Sequence, residues 1–131
     1  MKIAPPPKNI LYEDADVMVV FDHDPITIGH VLILPKIEYV DIDELPQPIL
    51  LKIMQMAQVY VRLLKKMYAP AGYSIMQNGG TFNDIGQFHL HVFPRFNKED
   101  FGWTYTNDVP SKAFAFSELK AKLKTLFLSL M

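Results

Sequence analysis

The stretch Gly86-Gln87-Phe88-His89-Leu90-His91-Val92-Phe93-Pro94-Arg95 alternates polar and apolar side chains between a glycine and a proline. Alternation of period two predicts a β-strand. Successive side chains of a strand point to opposite faces, so Gln87, His89 and His91 share one face and Phe88, Leu90 and Val92 the other. The apolar face suits a core, the other the wall of a cleft. Two of the four histidines in the chain are thereby held side by side. Paired imidazoles on a rigid strand suit chemistry on a phosphate or metal binding, and a histidine with only a packing role fits the same pattern.

Working outward, Asn78-Gly79-Gly80-Thr81-Phe82-Asn83-Asp84-Ile85 forms a loop before this strand, and Tyr73 to Gln77 read as another strand. Upstream, Leu50, Ile53, Met54, Ala57, Tyr60, Val61, Leu64 and Met67 recur at helical spacing, which predicts one long amphipathic helix from about Pro48 to Tyr68. Asn9 to Tyr12, Val17 to Phe21 and His30 to Pro35 read as three further strands, the last closed by its proline. Residues 1–8 are a proline-rich extended lead-in. Residues 96–131 form a variable segment ending in a helix, from Ser117 as N-cap to about Leu130. Strands first, a helix between them and a helix last predict a single α+β domain over residues 1–131, with a mainly antiparallel sheet.

The 131 residues, half of them apolar, suffice for one core. A formal net charge of −1 gives no basic field, which argues against extended nucleic-acid binding. The absence of cysteine removes disulfides and thiolate zinc sites. No apolar run approaches the ~20 residues that span a bilayer, and a cytoplasmic protein without membrane attachment is expected.

Two blocks of the chain together resemble the histidine triad (HIT) nucleotide hydrolases and transferases. The first is Phe21-Asp22-His23-Asp24-Pro25-Ile26-Thr27-Ile28-Gly29-His30-Val31-Leu32-Ile33-Leu34-Pro35-Lys36. The second is Gln87-Phe88-His89-Leu90-His91-Val92-Phe93-Pro94-Arg95, after an Asn-x-Gly loop. The resemblance runs from about Leu11 to Arg95 and implies a HIT-like fold with a central helix. The chain departs from the family at the first triad position, where Gln87 replaces histidine.

The resemblance makes His89 the nucleophile, His91 the third triad histidine and His30 the additional upstream one. It implies that the main-chain carbonyl at the first triad position, here that of Gln87, accepts a hydrogen bond from the nucleophile's ring. His89, His91 and Gln87 are the expected catalytic group. Asn78, Asn83, Asp84 and His30 are expected at the phosphates, although the charge of Asp84 opposes a strongly anionic pocket. Asp22 suits a ribose, since a carboxylate accepts hydrogen bonds from two hydroxyls, and His23, Phe21 and Ile10 are expected near the base. The implied activity releases a nucleoside monophosphate from a phosphoanhydride or phosphoramidate through a nucleotidyl-histidine. A purine nucleotide or dinucleoside polyphosphate is the expected substrate, a homodimer the expected assembly, and neither cofactor nor metal is required. Two alternatives stand beside this: a nucleotide-binding module with little catalysis because of Gln87, and a zinc site of His30, His89 and His91.

Overall fold

Five strands form one antiparallel sheet in the order β1-β2-β3-β5-β4. They are β1 (Ile10–Glu13), β2 (Val17–Phe21), β3 (Val31–Pro35), β4 (Gly72–Met76) and β5 (Leu90–Arg95). Among the described residues the α-helices are α1 (Gln47–Tyr68) and α2 (Phe116–Leu130). This computed structural model describes residues 5–98, 101–104 and 116–131. Residues 99–100 and 105–115 of the expected variable segment therefore lie outside the described residues. The chain divides into two units, Met1–Phe101 and Gly102–Met131, and the first carries the sheet, α1 and every expected site residue. In the second, α2 begins one residue before Ser117, which places that serine in the first turn rather than at the cap.

The sheet has two buried faces, as the uninterrupted apolar runs Val17–Phe21 and Val31–Pro35 require. Val17, Val19, Val31, Ile33, Leu90 and Val92 pack with Ile53, Ala57, Tyr60 and Leu64 of α1. Each such side chain contributes ~1.5–3 kcal/mol on burial. Met18, Val20, Leu32 and Leu34 form a second cluster on the opposite face, joined by Ile10. The buried stripe of α1 is narrower than its periodicity suggests, because Met54 and Met67 are exposed.

Local chemistry explains the ends of α1. Pro48 in its first turn lacks only an N–H that would go unpaired there. At the other end Ala69 takes a left-handed conformation with φ 44°, donates its N–H to the Lys65 carbonyl, and is followed by Pro70, which cannot continue the helix.

The histidine strand is shorter than its alternation predicts. β5 pairs with β3 through Val92, His91 and Leu90 and begins only at Leu90. Its partner ends at Pro35, which has no N–H for a further ladder bond. Phe88 instead donates its N–H to the Tyr39 carbonyl, at 2.7 Å. Side-chain alternation survives through residues 88–92 nonetheless: Phe88, Leu90 and Val92 join the α1-side core.

Candidate active site

The ladder places His91 opposite Leu32, with His30 immediately before β3. Because Leu32 faces away from α1, so do His30 and His91. Phe93 continues that face, and its ring lies 5.1 Å from that of His30 and 5.1 Å from that of Phe101. The His89 and His91 rings are 4.8 Å apart at 66°.

His89 is 1% exposed. Its Nδ1 lies 2.9 Å from the Gln87 carbonyl oxygen, so Nδ1–H donates there. A neutral imidazole has one N–H, which leaves Nε2 with a free lone pair. Gln87 itself is buried, and its Nε2 donates to the Pro35 carbonyl at 2.8 Å, just where the β3–β5 ladder fails. The side chain thus anchors the turn while the main chain orients His89.

Partners also assign the tautomers of the other two rings. His30 Nδ1 accepts the Ile26 N–H at 3.0 Å, so its proton sits on Nε2. That Nε2 lies 2.9 Å from His91 Nδ1 and donates to it. His91 in turn carries its proton on Nε2. Burial, reinforced by His89 and His30, pushes the His91 pKa down to about 4 against the pull of Asp22 and Asp84. Burial likewise lowers that of His30, against Asp22. Both rings are therefore neutral at neutral pH, in a fixed chain of donors running from the Ile26 amide to His91 Nε2.

Asp22, 13% exposed, completes the cluster, with Oδ2 3.4 Å from His30 Nε2 and 3.8 Å from His91 Nδ1. Its Oδ1 accepts the Asp24 N–H at 2.9 Å. Each oxygen keeps a second lone pair, so the carboxylate can still accept from hydroxyls. Ligand atoms of Asp22, His30 and His91 lie within 4.8 Å of one another, a donor set that could hold a cation. It differs from the expected trio, since Asp22 takes the place of His89. The tautomers oppose ligation: His30 Nε2 bears the proton, and freeing its lone pair would break the Ile26 bond. A hydrogen-bond relay describes the trio better.

The remaining expected residues divide. Ile10 packs on the Val20–Leu32 cluster, on the same face as the relay. His23 is 88% exposed, with Nδ1 3.9 Å from Asp22 Oδ1. Phe21 shares the α1 face with Val17 and Val19, and it lines a largely apolar hollow of about 530 Å³ together with Asp22, His30, Tyr60, Leu63 and Met67. Asn83 Oδ1 accepts the N–H groups of Ile85 (3.3 Å) and Gly86 (3.0 Å), and its Nδ2 reaches the Val40 carbonyl, so it orders the loop. Asn78 is half-buried in the same loop, its carbonyl accepting from Gln77 Nε2. The Gly80 N–H of the same loop donates to Asp41 Oδ1 at 3.3 Å. Asp84 lies next to the expected nucleophile, with its carboxylate Oδ1 3.5 Å from His89 Nε2.

Other groups that shape the site have ordinary sequence contexts. Tyr60, one residue of the helical stripe, donates its hydroxyl to the Gly29 carbonyl at 2.6 Å and holds the 22–30 turn. A buried tyrosine needs such a partner, which is the only signal the sequence offers. Arg95 bonds Ser74 Oγ and the Phe101 carbonyl and lies over the Phe101 ring at 4.9 Å. Of the aromatic segment after β5, Phe101 packs as above, Trp103 is exposed, and Tyr105 lies outside the described residues.

Residues 5–98 match the HIT domain family. An uncharacterized HIT-like protein of Methanocaldococcus jannaschii is 33% identical over 92 residues, 69% of this chain and 70% of its own length. The adenosine 5'-monophosphoramidase hnt1 of Schizosaccharomyces pombe is 28% identical over 116 residues, 85% of this chain and 80% of its own. A HIT family protein from Bacillus anthracis, solved by crystallography, superposes with a TM-score of 0.79 at 27% identity, covering 92% of this chain and 86% of that one. The chain belongs to the HIT family.

Proposed function

From membership of the HIT family we propose that this protein releases a nucleoside monophosphate from a phosphoanhydride or phosphoramidate, with His89 as nucleophile. The observation that supports this most is the bond from His89 Nδ1 to the Gln87 carbonyl, which leaves Nε2 unprotonated in the neutral ring. Nε2 forms a bond to the α-phosphorus while the bond to the leaving group breaks, and that group carries off the electron pair. Water then attacks phosphorus, the Nε2–P bond breaks with its electron pair returning to Nε2, and the water proton passes to solvent. The product is the nucleoside monophosphate. Transfer to another acceptor would differ only in the second attacking group.

In this reading His91 Nε2–H donates to a phosphate oxygen, and His30 is a positioning residue that keeps the proton on that nitrogen. Asp22 accepts the ribose hydroxyls, with Ile10 and His23 beside a purine base and Phe21 lining the hollow that borders Asp22. Asn83 acts by ordering the phosphate loop, to which Asn78 belongs. The protein works as a cytoplasmic homodimer. Met54 and Val61 of α1 and Tyr73 and Ile75 of edge strand β4 line a shallow groove that suits the same face of a second copy.

The test is His89→Ala assayed on adenosine phosphoramidate and dinucleoside polyphosphates. Turnover falls below detection while circular dichroism and thermal unfolding stay native; a fully active variant overturns the reading. Tight nucleotide binding by wild type without turnover would instead support the nucleotide-binding module.

A further inference from the structure

We propose that Asp84 is a specificity-determining residue of this site, selecting nucleotides whose leaving group is uncharged against those whose leaving group is anionic. The inference deepens the proposed function and rests on its reading of His89 as nucleophile.

The geometry points to it first. Asp84 Oδ1 stands 3.5 Å from His89 Nε2, the separation at which an attacked phosphorus would sit. The side chain is 82% exposed and free to swing as substrate enters. Its backbone is not: Asn83, one residue before it, accepts the N–H groups of Ile85 and Gly86. The carboxylate therefore stays beside the reacting phosphorus, on the side from which solvent and substrate enter.

Charge is the second observation. Among the described residues the ion-pair partners of Asp84 and Asp22 are histidines alone. Lys36 pairs with Glu13 and Lys52 with Asp14. The loop amide of Gly80, which could have met an anion, already holds the Asp41 carboxylate. A phosphodiester-like substrate brings one negative charge and can be met by the neutral His91 donor. A polyphosphate brings further charges, and those of its leaving group lie toward Asp84, whose ion-pair partner among the described residues is His89 alone. The amine leaving group of a phosphoramidate meets no such repulsion, and its N–H can donate to the carboxylate.

The test compares kcat/KM for adenosine 5'-phosphoramidate and for ADP in wild type, Asp84→Asn and Asp84→Glu. Removing the charge narrows the preference for the phosphoramidate by about five- to tenfold, the size of one partly screened interaction. The gain comes mainly from faster ADP turnover, and Asp84→Glu retains the wild-type ratio. An unchanged ratio in Asp84→Asn overturns the proposal. Should no form turn over either compound, the hydrolase reading fails, and affinities of both compounds measured by calorimetry decide the role of Asp84. A narrowed affinity ratio in Asp84→Asn supports it, and an equal one overturns it.

Discussion

The ring of His89 and the main chain of Gln87 are joined by a 2.9 Å hydrogen bond from Nδ1 to the carbonyl oxygen. The first triad position thus orients the nucleophile through an atom that every amino acid has. Gln87→His should leave kcat within about threefold of wild type. Gln87→Ala should lose ~1–3 kcal/mol of stability with its buried bond to Pro35, yet retain turnover. Steady-state kinetics and urea unfolding check both. A rise of ~10²-fold or more in Gln87→His would mean that the missing imidazole supplied charge to the transition state.

The relay makes stability depend on pH. The unfolded chain protonates His91 near its ordinary value of 6.5, the folded one only at about 4. Between those values the unfolded state binds more protons, so stability rises with pH across that window and is fully present above 6.5. The difference is roughly 3 kcal/mol, with His30 acting in the same direction. Urea unfolding at acid and neutral pH should show this slope in wild type, and His91→Asn should flatten it. Equal slopes would contradict the assignment of a neutral His91.

The turn that carries Asp22 and His30 is held from beneath. Gly29 has φ +81°, and a Cβ there would lie 3.3 Å from Leu64 Cδ2 and 3.5 Å from Tyr60 Oη. Gly29→Ala should cost about 2 kcal/mol or more. Tyr60→Phe should cost ~1–2 kcal/mol by leaving the Gly29 carbonyl unpaired. Both should raise KM more than they lower kcat, since the turn positions binding groups. Wild-type KM in both variants would separate the turn from the site.

Much of this was legible in the residues because it follows from periodicity. The alternation around His89 and His91 identifies the face they share, and the 3.6-residue stripe of α1 locates the helix within a residue or so. What stayed hidden depends on tertiary partners. Nothing in the sequence ties Gln87 to Pro35, or Tyr60 to Gly29. The bonds of Asn83 have the same origin: its Oδ1 accepts the N–H groups of Ile85 and Gly86 in an Asx-type turn. The hollow that Phe21 shares with Asp22, His30 and Tyr60 is hidden for the same reason, since it forms only where the sheet meets α1.

The exposed side of α1 beside β4 predicts assembly. Sedimentation at micromolar concentration should give a dimer, and Met54→Lys with Ile75→Lys should give a monomer of native circular dichroism. A wild-type monomer under those conditions would remove the homodimer from the account.

The central claim is that His89 Nε2 attacks phosphorus and becomes covalently nucleotidylated. Intact-protein mass spectrometry after rapid, acid-free quenching from adenosine phosphoramidate tests it most directly, with wild type and His89→Ala run side by side and released AMP measured in the same samples. The account predicts a mass increase of one adenylyl group in wild type alone, together with AMP. Release of AMP by both proteins, or bound nucleotide with neither adduct nor product, would contradict it.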